Sequence, residues 1–78
     1  MLENNKLYKS KGAMNVWHTD GKIDKNLPDG EVVYLVSLIE SKHFHQEVVR
    51  SYKMLSRFGT RLTSFINERF ENIFFEEI

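Results

Sequence analysis

The residues best suited to chemistry in this chain are three histidines, His18, His43 and His45, and a scatter of carboxylates. Glu40 and His43 form an E-x-x-H pair, the spacing with which helical bundles hold two iron or manganese ions. Such a site needs a second pair and further carboxylates, and Glu68 or Glu71 of a paired chain would have to supply them. His43 and His45 stand two residues apart, so on a helix they point in different directions and cannot share an ion. No metal ligand set is assigned, and no cofactor is expected. The sequence has no cysteine, which removes thiolate nucleophiles, disulfides and cysteine-based zinc sites. It has no glycine-rich phosphate loop and no dinucleotide fingerprint. Ser37, Ser41, Ser51, Ser56 and Ser64 lack a histidine and carboxylate arranged to activate them. Ser37 and Glu40 have the spacing of a helix capping box. A chain of 78 residues has little interior to spare for a concave catalytic pocket. The expectation is a protein that is not an enzyme.

Binding is the better-supported class. Arg50, Lys53 and Arg57 fall at i, i+3 and i+7, which on a helix makes one basic stripe facing away from Val48, Tyr52 and Leu55. Guanidinium groups pair bidentately with carboxylate or phosphate, so the stripe suits an acidic partner. It also has the pattern of an ordinary solvated face, or of a face neutralised by the acidic C-terminal helix of the same or another chain. Trp17 and Tyr34 are candidate aromatic anchors, because large aromatics and arginine dominate binding hot spots. Phe65, Phe70, Phe74 and Phe75 crowd the last fourteen residues. Part of that aromatic surface lies off a single apolar stripe, and exposed apolar patches mark interfaces. These four are the candidate self-association residues.

The elements that must position these groups read as mainly helical. Residues 1–12 are polar and lysine-rich and read as a flexible basic tail. Residues 13–30 contain Asp20 and Gly21, a hairpin turn pair, and the turn cluster Asn26, Pro28, Asp29 and Gly30. They read as an arm or a short β-hairpin. Val32, Leu35, Val36 and Ile39 then fall on one helical face, and Phe44, Val48, Tyr52 and Leu55 on another. Residues 31–58 are expected to be helical, with a break at 41–45 or with different neighbours at the two ends. The run VVYLV, rich in β-formers, offers residues 31–36 as a strand instead. Gly59 fits a helix stop and Thr60 an N-cap. Leu62, Ile66, Phe70 and Ile73 make the apolar stripe of a helix over 60–77. The expected fold is a single small α domain, an αα-hairpin dimerising into a helical bundle.

Charge restricts the partners. Eleven basic and eleven acidic residues cancel, and the isoelectric point is near neutral. No global field draws the molecule to nucleic acid or to an anionic membrane. The charges are unevenly placed. Lys6, Lys9, Lys11, Lys22 and Lys25 load the start, and Glu68, Glu71, Glu76 and Glu77 load the end. No apolar run is long enough to span a bilayer, and the start lacks a signal-peptide core. The expected setting is the cytoplasm, a host's cytoplasm if the gene is viral or plasmid-borne. The expected function is a protein-binding module or modulator working as a homodimer through a helical surface. The alternative is a small dimeric DNA-binding regulator, because strand, helix, break and helix resemble the ribbon-helix-helix layout. The zero net charge argues against it, since DNA-binding domains are usually basic.

Overall fold

The computed structural model describes the backbone of residues 1–78 and every side chain outside residues 24–26. It is mostly β, not α. Eight strands, β1 Leu7–Ser10, β2 Met14–Trp17, β3 Ile23–Leu27, β4 Val32–Phe44, β5 Glu47–Ser56, β6 Gly59–Thr63, β7 Ile66–Asn67 and β8 Phe75–Glu77, form one antiparallel sheet. Its order is β3-β2-β6-β5-β4-β1-β8, with β7 pairing the part of β5 that β6 leaves uncovered. The sheet curls into a half-barrel. Helical structure is confined to a 3-10 turn at Glu68–Phe70 and the single-turn helix α1, Glu71–Phe74.

The expected helices over 31–58 and 60–77 are absent, and with them the αα-hairpin, the helical bundle and the ribbon-helix-helix layout. The reason lies in the spacings. A step of four residues returns to the same face of a helix and also to the same face of a strand. Val48 and Tyr52 therefore fit both, whereas Leu62 and Ile66 keep the same step in sequence but lie in different strands and on opposite faces. Only odd steps discriminate, and the residues reached by them, Leu55 and Ile73, are left 47% and 57% exposed. In β4 the period itself is altered. The register against β5 shifts between Leu35 and Ser37 and again between Leu38 and Glu40, so Val36 and Ile39 are extra residues in two β-bulges. Each bulge moves the following side chains to the opposite face. The strand's inward residues Val33, Leu35 and Leu38 are thus spaced unevenly, and its apolar residues mimic a helical repeat. The suspected break at 41–45 borders a tight hairpin turn at His45 and Gln46.

The turns are chemically explicit. Gly21, Gly30 and Gly59 all have positive φ. Asp20 and Gly21 lie in the connection between β2 and β3, closed by His18 N–H to the Lys22 carbonyl at 2.8 Å. Gly59 (φ 102°) follows the two-residue tip Arg57 and Phe58 between β5 and β6. There Ser56 Oγ accepts from Phe58 N–H at 3.1 Å and donates to the Gly59 carbonyl at 3.0 Å.

The lysine-rich start, read from composition as a flexible tail, supplies β1, which lies between β4 and β8. Buried Ser10 fixes it: its hydroxyl donates to the Pro28 carbonyl at 2.6 Å and accepts from Glu31 N–H at 2.9 Å. The basic start and the acidic end are therefore neighbours, with Lys9 opposite Glu76 in register and Lys6 Nζ 3.5 Å from Glu77. The core is Leu2, Tyr8, Val16, Leu27, Val33, Leu35, Tyr52, Met54, Ile66 and Phe75. No helix is long and apolar enough to cross a membrane among the described residues.

Candidate functional site

Two hollows adjoin on the molecule and share Ser64 and Phe65, where the chain leaves β6 for β7. The first, about 330 Å³, is lined by Trp17, Leu62 and Phe65 with Gly21, Ser51 and Ser64. The second, about 270 Å³, lies between Met14, Phe65, Phe70 and Phe74, with Asn67 at its side. The register explains the first. Trp17 of β2 stands opposite Leu62 of β6, which stands opposite Lys53 of β5, so all three share the sheet face turned away from Tyr52 and Met54. The second forms because the 3-10 turn and α1 bring Phe70 and Phe74 beside the start of β2. Phe65, Phe70 and Phe74 keep roughly two-fifths of their surface in solvent. Met14 and Trp17 lie on opposite faces of β2, so the two hollows meet only around Ser64 and Phe65, and together they are the aromatic groove.

Its rim is cationic. Lys42 Nζ sits 4.6 Å from the centroid of the Phe65 ring, and the Arg69 guanidinium 5.9 Å from that of Phe70. Both contacts are within the range of cation–π attraction. Lys42 is also 3.6 Å from Glu40 and Arg69 3.0 Å from Glu47. Lys53 makes no ion pair among the described residues.

The structure brings Trp17, Phe65, Phe70 and Phe74 into this groove and leaves the other sequence-derived candidates elsewhere. Phe75 is buried in the core. Tyr34 lies apart, its hydroxyl donating to Asn5 Oδ1 at 2.7 Å. Arg50, Lys53 and Arg57 do not form a stripe. On a strand the odd step from 50 to 53 places Arg50 and Lys53 on opposite faces, and Arg57 sits in the β5–β6 turn, 2.9 Å from Glu31. Arg50 points to the other side of the sheet, toward Glu71 and Glu68 at 2.9 and 3.2 Å.

Glu71 belongs to a buried polar cluster; the sequence suggested that the acidic C-terminal segment could neutralise Arg50, but not that Glu71 would be buried against Tyr52. It is 1% exposed and accepts from Arg50 Nη1 and from the Tyr52 hydroxyl, whose oxygen accepts in turn from Leu2 N–H at 3.3 Å. Burial, and then the bond to Glu71, push the Tyr52 hydroxyl pKa well above its ordinary value. No buried polar side-chain atom lacks a partner among the described residues. The cluster is buried and fully hydrogen-bonded, which suits a structural role. Only the oddity of a glutamate within a phenylalanine-rich run could have marked it in the sequence. Met14, Leu62 and Lys42 were also missed, because their part in the groove depends on strand register.

Reactive groups do not converge. Glu40 and His43 are three apart on a strand and face opposite ways, and His43 and His45 lie on the exposed hairpin arm. No group of three or more potential metal ligands exists among the described residues. No protein-family model matches the chain, and no curated protein or solved structure is significantly similar to it.

Proposed function

We propose that this chain is a protein-binding module that receives an extended, apolar segment of another protein in the aromatic groove. The observation that carries the reading is the gathering of Trp17, Leu62, Phe65, Phe70 and Phe74, with Met14, around two adjoining hollows that share Phe65. Large aromatic side chains in a concave, partly dry surface are the usual anchors of protein recognition. The cations at the rim, Lys42 and Lys53 beside the first hollow and Arg69 beside the second, favour a segment whose apolar residues are flanked by carboxylates. This reading replaces the helical surface expected from the sequence with a sheet face. Nucleic acid remains the second reading, which the zero net charge does not favour.

Trp17 is the only tryptophan and lines the groove, so its fluorescence reports occupancy directly. Short synthetic peptides with a central aromatic or aliphatic pair, flanked by either glutamate or lysine, are titrated against the protein. The glutamate-flanked set should shift Trp17 emission and saturate, and the lysine-flanked set should not. Phe65→Ala should weaken binding at least about tenfold, as expected of a hot-spot aromatic. Equal response to both peptide sets, or binding undiminished by Phe65→Ala, would show that the groove is not the docking surface.

A further inference from the structure

We infer that β4 carries a second interaction surface, meeting the groove only at Lys42, through which two copies of this chain pair edge to edge. On one side β4 is paired along its length with β5. On the other, β1 covers only Val32, Val33 and Tyr34, with two further backbone bonds at Leu35. From residue 36 to residue 44 no described residue pairs with that side. The segment projects as a hairpin arm whose residues 39–46 are all exposed. A long unpaired strand edge is a template for another strand.

The sequence of the arm selects the partner. Phe44 and Glu47 close a two-residue turn and so exchange hydrogen bonds. Lys42 and Phe44 then turn their N–H and C=O groups toward β5, and Ser41 and His43 turn theirs to the free edge. A second β4 laid antiparallel with the two-fold axis at Ser41 places Ser41 opposite Ser41. It also sets Glu40 of each chain opposite Lys42 of the other. A lone edge lysine would repel its own image, which is how many proteins guard an edge. Here the glutamate two residues earlier converts that repulsion into two attractive cross-strand pairs. Glu40 and Lys42 already lie 3.6 Å apart within one chain, so pairing gathers four alternating charges on one face. Ile39 and Phe44, 49% and 64% exposed, flank them and gain cover. An isologous contact of this kind closes at two copies, and the two half-barrels become one continuous sheet.

The pairing makes a charge-specific demand that a generic sticky edge would not. Glu40→Lys gives each arm two lysines and Lys42→Glu gives each arm two glutamates, so each variant alone faces like charges across the axis. Each should raise the dimer dissociation constant at least about tenfold. Mixed in equal amounts, the two variants present opposite charges at both positions and should form a heterodimer. Ser41→Pro provides an independent check. It removes an N–H that serves only the free edge, a position where an edge strand tolerates proline, and should yield a folded monomer. Analytical ultracentrifugation of the full chain over a wide concentration range reads all four. A native chain that stays monomeric into the high micromolar range overturns the inference. So does a dimer indifferent to Ser41→Pro, or a mixture of the two charge variants that remains monomeric. Peptide binding by the Ser41→Pro monomer would leave the groove reading intact, so the two ideas fail separately.

Discussion

Replacing Glu71 with leucine should destabilise the protein by about 1–4 kcal/mol, and the figure follows from what the carboxylate touches. The Tyr52 hydroxyl is fully buried and donates to Glu71. Leucine leaves that O–H unpaired, at a cost of about 1–3 kcal/mol. Arg50 loses its 2.9 Å partner. Stranding a buried charge costs about 3–5 kcal/mol, but Arg50 keeps Glu68 at 3.2 Å and a side chain 14% exposed, so about 1–2 kcal/mol is the better figure here. The added apolar burial of leucine returns about 1 kcal/mol. A chain of this length has roughly 4–12 kcal/mol in all, and each kcal/mol moves the melting temperature of so small a domain by about 4–8 °C. Thermal unfolding followed by circular dichroism should therefore show a drop of at least about 4 °C. Glu71→Gln, which preserves an acceptor for Tyr52, should lose about half as much. The triple variant Arg50→Met, Tyr52→Phe, Glu71→Leu should recover most of the loss, because no stranded polar group remains. A Glu71→Leu protein that melts within a degree or two of the native chain would refute the account of the cluster.

Two other outcomes follow from the same structure. The hairpin tip holds His45 and Gln46 at φ 49° and 66°, the left-handed pair of a type I′ turn that glycine occupies without strain. Gln46→Gly should stabilise the arm by about 1 kcal/mol, read as a roughly fivefold slowing of amide exchange in residues 39–49 with little change in global melting. The raised pKa of Tyr52 sets a sign for alkaline pH. Its contribution is fully present below the unfolded tyrosine value of about 10 and is lost as pH rises from there toward the higher folded value, with a slope of about 1.4 kcal/mol per pH unit. Urea titrations between pH 9 and about 11.5 should show that slope in the native chain and a shallower one in Tyr52→Phe.

What the sequence disclosed divides along a physical line. Local turn chemistry was largely legible, since Asp20 with Gly21, and Pro28, Asp29 and Gly30, lie between strands, whereas Asn26, read into the same turn, falls within β3. Element type was not. Val48 with Tyr52 obeys a four-residue step that both periodicities share, Leu62 with Ile66 spans the break between β6 and β7, and the bulges at Val36 and Ile39 erase the alternation that would have exposed β4 as a strand. The β-rich run VVYLV was visible, but its spacing with Ile39 argued the other way. The groove was half legible. Trp17, Phe65, Phe70 and Phe74 stood out by type, whereas Met14, Leu62 and Lys42 join them only through strand register. The polarity of the chain, basic first and acidic last, was plain but its meaning was not, since nothing local says that β1 and β8 lie side by side.

That adjacency has a kinetic consequence. The strands β4, β5 and β6 follow one another through short turns and can zip together from local contacts alone. β1 cannot. Its neighbours are β4, made later, and β8, made almost a whole chain length later, so the loop-closure entropy of its pairing is paid last. During synthesis Leu7 and Tyr8 wait in an unpaired segment, and the three lysines around them, Lys6, Lys9 and Lys11, keep that segment from meeting another nascent chain. These charges, of which Lys6 comes to pair with Glu77 in the finished sheet, thus act earlier as a guard against aggregation while the sheet is still incomplete.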